Sequence, residues 1–309
     1  MSVPGRVPVM AGLPHNPPPA EVTIDAALVA SLLATQHPDL SRFDLGPCVE
    51  GWDNVTFRLG AELAVRLPRR AVAAPLIVHE QRWLPTLAEQ LPTPVPTPVR
   101  TGVPSLDYPW AWSVVPWIEG STALLTPLPD AEVGALGRFL RTLHSLPTAA
   151  DAPRNPFRGG PLADRFEAVG SRLSDIAADQ TGALRVADIN AALRDASEAP
   201  IDSAPTWLHG DLHAKNVIVR ARRLAGIVDW GDMCVGDPAT DLSAVWILFD
   251  PSAHAGFWTE YGPVSQATTR RTLGWAMSFG TMLAGAHGTS DPAFADLGVR
   301  TLERVAGTL

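Results

Sequence analysis

The chain is almost without lysine. Of its 24 basic residues only Lys215 is a lysine, and none lies in the N-terminal half. The plain reading of the bias is a GC-rich genome that favours arginine codons. Its consequence is chemical: no lysine is present in that half to bind phosphate. Cysteine is nearly absent too. Cys48 and Cys234 alone give no disulfide framework and no zinc knuckle, which fits a reducing, cytoplasmic setting. No apolar run approaches the roughly eighteen residues that a membrane span needs, so no membrane association is expected. Met1 to Ala20 holds six prolines and no apolar h-region. Residues 1–21 therefore read as an extended Pro-rich arm, not a secretory signal. A net charge of −8 argues against nucleic acid as a partner, because phosphate binding wants a basic face.

What remains is a chain that can bury a core. It has 309 residues, 46% hydrophobic and 18% charged, enough for one large domain or two small lobes. Apolar spacing predicts a helix over Ile24–Thr35, then strands at Phe43–Glu50, Val55–Leu59 and Leu63–Leu67, the last two joined by Gly60-Ala61-Glu62. A helix follows from about Ala73 to Leu84, where Pro85 should break or kink it. The Pro-rich stretch Leu91–Val99 reads as a connector into an edge strand, and Trp112–Trp117 as the last strand of this half. Ile118-Glu119-Gly120 leaves it. The second half reads as helical: after Asp130, at Leu162–Ala178, Leu184–Ala196, Ala239–Phe249, Gln266–Ala286 and Pro292–Val305. No internal repeat is visible. A small strand-rich half, 22–118, before a large helical half, 119–309, is an α+β, bilobal plan with a cleft between the lobes.

The densest chemistry lies at His209-Gly210-Asp211-Leu212-His213-Ala214-Lys215-Asn216, with Asp229 thirteen residues later. Asp211 and Asn216 have the spacing of a loop that supplies a base and a metal ligand. Val217–Val219 and Leu224–Val228 read as a β-hairpin that turns near Ala221–Arg223 and sets Asn216 opposite Asp229. Two such oxygen ligands suit Mg²⁺ bridging nucleotide phosphates. Taken alone, Asp211 could be a turn-forming residue, and Asn216 and Asp229 could satisfy strand-end backbone donors. The combination favours chemistry. Asp232 could line the site or cap a helix. His209 is expected to brace the loop. Lys215 either faces the cleft or points to solvent.

These motifs, with Ile227-Val228-Asp229-Trp230-Gly231-Asp232 and Val235-Gly236-Asp237-Pro238-Ala239-Thr240-Asp241-Leu242, resemble the aminoglycoside and macrolide phosphotransferase family. Ala64-Val65-Arg66-Leu67-Pro68-Arg69-Arg70 resembles its third strand. The resemblance implies a protein-kinase-like fold and transfer of phosphate from ATP or GTP to a hydroxyl of a small molecule. An antibiotic is the implied acceptor, and a sugar, amino sugar or other metabolite is the alternative. It also implies that Asp241 buttresses the catalytic loop, although a plain helix-start acid reads equally well.

Kinase-like folds pair a strand lysine with a helix glutamate. Here Glu80 lies on the apolar stripe Leu76, Ile77, Trp83, Leu84, Leu87 and needs a partner, and the strand offers Arg66. A guanidinium can serve carboxylate and phosphate together. Gly51-Trp52-Asp53-Asn54 sits where a phosphate-covering turn belongs, so Gly51 and Asn54 are candidate nucleotide contacts. Pro116 and Ile118 are the candidate hinge, where proline can only accept a hydrogen bond.

From Glu119 onward there are 22 acidic and 16 basic residues, a net −6. That field, with late aromatics such as Trp258 and Phe279, favours a cationic acceptor with an apolar or sugar face. Two other classes compete. One is a metallohydrolase using His209, Asp211 and His213 as ligands; the other is a nucleotide-binding module without catalysis.

Overall fold

The computed structural model describes residues 18–179, 185–285 and 292–309. Most of the Pro-rich arm, and the ends of the helices expected from Leu184 and up to Ala286, lie outside the described residues.

The first region is built on an antiparallel sheet. Helix α1 (Ala26–Gln36) opens with Asp25 as N-cap, whose carboxylate accepts from the Leu28 N–H. Strands β1 (Leu45–Glu50), β2 (Asn54–Leu59) and β3 (Leu63–Pro68) follow, then helix α2 (Ala74–Ala88) and strands β4 (Arg100–Gly102) and β5 (Trp112–Pro116). The strand order is β1-β2-β3-β5-β4, so β4 is the edge strand expected after the proline connector. Alternation on β2 buries Val55, Phe57 and Leu59 against Val29, Leu33 and Trp112. The chain before α1 is already tied to this sheet: Glu21 donates its N–H to the Arg69 carbonyl at 2.9 Å, and its carboxylate accepts from the Ala71 N–H at 2.9 Å.

Pro85 does not end α2. The helix runs through it to Ala88, because Ile77, Glu80, Leu84 and Leu87 are buried on one face and hold both halves in line. The proline costs one backbone hydrogen bond in the last turn, where packing outweighs it.

The second region is mostly helical. Strand β6 (Ser121–Thr122) leads to α3 (Val133–Ser145), α4 (Phe166–Asp179) and α5 (Val186–Glu198). Then come β7 (Thr206–Leu208), β8 (Val217–Arg220), β9 (Arg223–Ile227) and β10 (Cys234–Gly236). Helices α6 (Ala239–Leu242), α7 (Ala244–Leu248), α8 (His254–Tyr261), α9 (Gln266–Ala284) and α10 (Pro292–Ala306) complete it. The sequence pattern did not show α8 or the short strands β6, β7 and β10. Two- and three-residue strands are too brief to register a period of two. One core joins α3, α9 and α10 around Leu140, Trp230, Trp275 and Leu302.

The β8–β9 hairpin turns through Ala221 and Arg222, with φ of 50° and 61°. Two central residues at positive φ make the tight turn whose twist matches the strands. Asn-Gly is the usual signal for that turn, and it is missing here. Strand β6 pairs with β8, Ser121 against Val219, so the segment leaving β5 is sewn directly onto the hairpin.

Candidate active site

The loop from His209 to Asn216 hangs between β7 and β8 and is braced from behind. Asp241 on α6 is buried, and its carboxylate accepts the His209 N–H at 2.7 Å and the Gly210 N–H at 2.9 Å. Buried backbone donors must be paired, and a carboxylate pairs two at once. His144 lies 3.4 Å from the same carboxylate and 2.9 Å from the Tyr261 hydroxyl, which extends the brace to α3 and α8. His209 braces the loop from within. Its Nδ1 accepts from the Asp211 N–H at 3.2 Å, which leaves the proton on Nε2 to donate to the Val228 carbonyl at 2.9 Å. Trp230 packs edge-on against its ring. Gly210 has φ 85°, and a Cβ there would lie 2.5 Å from the Asp232 carbonyl oxygen, so glycine is required.

Asp211 emerges from this frame with both carboxylate oxygens engaged. Oδ1 accepts from Arg158 Nη2 at 2.9 Å; Oδ2 lies 3.2 Å from His213 Nε2. Burial would raise its pKa, but His213 and Arg158 outweigh burial and hold the carboxyl well below the usual carboxylate range. Asn216 donates its amide to the Asp211 carbonyl at 2.9 Å, which fixes which way its side chain faces.

The hairpin register differs by one residue from the expected pairing. Val217 faces Ile227, and the Val228 N–H donates to the Asn216 carbonyl at 2.9 Å, so Asn216 faces Val228 and not Asp229. The two-residue turn alone would set Asn216 opposite Ile227; a bulge between Ile218 and Val219 adds one residue on the β9 side and brings the pairing to Val228. Asp229 takes up the difference with φ 62°. A non-glycine residue there is strained by about 1–3 kcal/mol, and such strain collects at functional sites. Asn216 and Asp229 thus end adjacent strands. An amide oxygen and a half-exposed carboxylate form an oxygen donor set that suits Mg²⁺, which takes few protein ligands and completes its shell with phosphates and water.

Arg66 links this set to the sheet. Its Nη1 donates to Glu80 Oε1 and Oε2 at 2.7 and 2.6 Å, and its Nη2 donates to Asp229. Both Arg66 and Glu80 are buried. Burial pushes the Glu80 carboxyl up to about 7 against the pull of Arg66. The Arg66 cation stays charged, since Glu80 and Asp229 together outweigh its own desolvation.

The β1–β2 turn closes with the Gly51 N–H on the Asn54 carbonyl at 2.8 Å. Two arginines that sequence reasoning passed over anchor it. Arg69 donates to the Gly51 carbonyl at 3.0 Å, and Arg70 pairs with Asp53. Pro116 ends β5 opposite Leu63, and the next N–H, of Trp117, is taken by the Glu62 carbonyl at 2.7 Å. Ile118 rests on the backbone of Gly226, where a Cβ would come within 2.6 Å of it. Lys215 Nζ sits 3.9 Å from the ring centroid of Phe294 on α10, and the same ring meets His213 edge-on. Arg158 is the other residue missed. It comes from the irregular stretch before α4, where no periodicity marks it.

The phosphotransferase enzyme family (APH) matches residues 44–275 of this sequence. The chain belongs to that family. It has the kinase-like phosphotransferase fold, and it is a small-molecule kinase. Solved structures agree on the architecture. The GDP complex of wild-type aminoglycoside 2'-phosphotransferase-IIIa is 18% identical, with a TM-score of 0.70 over 92% of this chain and 99% of that one. The apoenzyme of macrolide 2'-phosphotransferase MphH from Brachybacterium faecium is 19% identical, with a TM-score of 0.58 over 90% and 97%. The streptomycin–ATP ternary complex of APH(2")-IIa is 19% identical, with a TM-score of 0.55 over 88% and 94%. No curated protein sequence matches the chain.

Proposed function

We propose that this phosphotransferase moves the γ-phosphoryl group of ATP or GTP to a hydroxyl of a small, amine-bearing acceptor of the aminoglycoside or macrolide type. The observation that carries the reading is the meeting of Asn216 with Asp211 and of Arg66 with Asp229, the two pairs being brought together where the Val228 N–H donates to the Asn216 carbonyl. Residues 22–118 form the nucleotide side and residues 119–309 the acceptor side. Asp211 is the base: it orients the acceptor hydroxyl and accepts its proton late in the transfer. Arg66, held by Glu80, faces the donor phosphates, and the Gly51–Asn54 turn covers them. Pro116 and Ile118 border the nucleobase, the first as acceptor and the second as donor. Lys215 is the loop's own cation beside the donor. Asn216 and Asp229 would hold Mg²⁺, which would supply positive charge to offset that of the donor phosphates.

The structural neighbours support the donor and acceptor classes. One was solved with GDP, another with ATP and streptomycin. Among the described residues no group of three or more His, Cys, Asp or Glu is placed to hold a metal, so the metallohydrolase reading has no ligand set there. Incubation with ATP or GTP and a panel of aminoglycosides, macrolides and amino sugars tests the proposal, with the gain of one phosphate read by mass. Phosphorylation of a neutral sugar alone would move the acceptor to the metabolite alternative. No product with any hydroxylated acceptor would overturn the proposal.

A further inference from the structure

The segment between α3 and α4 crosses the active site as a strap. Its backbone is fastened to β10: the Val235 N–H donates to the Pro153 carbonyl at 2.9 Å, and the Asp237 N–H to the Gly159 carbonyl at 2.8 Å. Its side chains are fastened too. Arg154 donates to the Val235 carbonyl at 3.2 Å, and Asn155 to Asp232 Oδ1 at 2.6 Å. At its far end Gly159 has φ 68° and lies so close to Gly236 that a Cβ on Gly236 would fall 2.5 Å from the Gly159 oxygen. These contacts leave the strap little freedom to move.

Arg158 is the residue this strap delivers. Its guanidinium carbon lies 5.0 Å from the centroid of Phe279, a cation–π contact that fixes the plane of the group. From there Nη2 reaches Asp211 Oδ1 at 2.9 Å. The Nε–H is buried and has no partner among the described residues. An arginine with one fork on the carboxylate and a spare donor beside it is not placed for stability alone, since an orphaned buried donor costs about 1–3 kcal/mol.

We infer that Arg158 is a positioning residue for phosphoryl transfer, acting through Asp211. This rests on the reading of Asp211 as the base. An aspartate side chain rotates about χ1 and χ2, and a hydroxyl acceptor must be met in one orientation. Arg158 on Oδ1 and His213 on Oδ2 fix both oxygens; Oδ2 also lies 3.5 Å from the Asn216 amide, so Oδ1 is the oxygen with the freer lone pair for the incoming hydroxyl. Geometry of this kind matters because a misplacement of about 1 Å in a reacting group can cost on the order of 10²-fold in rate.

The test compares Arg158→Ala and Arg158→Lys with the parent enzyme, with kcat and both KM values measured separately and folding followed by thermal melting. For Arg158→Ala we expect a kcat loss of about 10- to 100-fold, with the nucleotide KM within about twofold of the parent value. Added guanidinium ion, below concentrations that shift the melting temperature, should recover part of the lost kcat in Arg158→Ala and none in Asp211→Asn. Arg158→Lys should fall between parent and alanine variant. An Arg158→Ala enzyme that melts normally and keeps kcat within twofold overturns the inference. So does a loss that guanidinium leaves untouched while the lysine variant restores nothing. If Arg158→Ala does not fold, Arg158→Lys and Arg158→Gln carry the same kcat comparison. Asp211→Asn separates the two claims: if it stays active, the reading of the base fails; if it is inactive while Arg158→Ala is not, the positioning role alone fails.

Discussion

Asp241 holds Gly210 across 31 residues of chain, its Oδ1 accepting the glycine N–H at 2.9 Å. The neighbouring His209 N–H goes to the other oxygen. One buried carboxylate therefore sets the backbone from which Asp211 projects. Asp241→Ala should orphan two buried donors and the facing His144. The two orphaned donors alone should cost about 2–6 kcal/mol of stability, at roughly 1–3 kcal/mol each. Asp241→Asn keeps one acceptor and should cost less. Urea unfolding of the three proteins measures this, and equal midpoints would show that the brace contributes nothing.

Asp211→Asn should lower kcat by about 10²–10⁴-fold, the usual worth of a positioned general base. Nucleotide binding should survive, because the substitution leaves Arg66, Asn216 and Asp229 in place. Isothermal titration with a non-hydrolysable nucleotide, run beside the kinetics, separates binding from turnover. Retention of more than half the parent kcat would remove Asp211 from the chemistry.

Arg66 and Glu80 should couple. Removal of one partner from a buried, bidentate pair costs roughly 3–5 kcal/mol, and Arg66→Ala should also raise the nucleotide KM. A double-mutant cycle with Glu80→Gln should show clear non-additivity, and strict additivity would mean that the contact carries no energy.

The same pair predicts a pH dependence. The Glu80 carboxyl is raised from an ordinary 4.5 to about 7 by burial, against Arg66. Between these values the folded protein holds a proton that the unfolded chain has released. Glu80's contribution to stability is therefore fully present below the unfolded value and falls as pH rises through neutrality. Unfolding of parent and Glu80→Gln across a pH series should show the parent's advantage shrinking upward. A difference that stays flat with pH would mean the carboxyl is already ionised throughout.

Acceptor KM should rise with ionic strength. The half from Glu119 onward carries 22 acidic against 16 basic residues, and exposed charges are screened beyond a Debye length of about 8–10 Å. Kinetics of the best acceptor over a salt series decide it. A flat KM, or an anionic best acceptor, would exclude recruitment by this field.

Much of this site is legible in the sequence, for identifiable reasons. Asp211 and Asn216 share the loop before β8 and Asp229 follows β9, so short-range spacing brings all three to one end of the hairpin, although not to the exact pairing. Glu80 stands out because a carboxylate on an apolar stripe demands a cation, and the strand offers Arg66. Arg158 cannot be found this way. It sits in an irregular segment, and its meeting with Asp211 spans 53 residues, so no local period encodes it. Helix α8 escapes notice although His254, Phe257, Trp258 and Tyr261 recur on one face, because its eight residues give only two turns of that pattern. The one-residue difference in register comes from a two-residue turn whose positive φ values fall on alanine and arginine, together with a bulge between Ile218 and Val219; the residue types announce neither.

The placement of the lone lysine makes the catalytic loop separately addressable. Lys215 carries the only ε-amine in the sequence, and it lies against Phe294, the ring that also meets His213. Among side chains, a reagent selective for primary amines therefore has one target, four residues along the chain from Asp211. A single reporter attached there would register events at the loop without background from other side chains. The arginine that replaces lysine elsewhere keeps the protein's charge while staying silent to that chemistry.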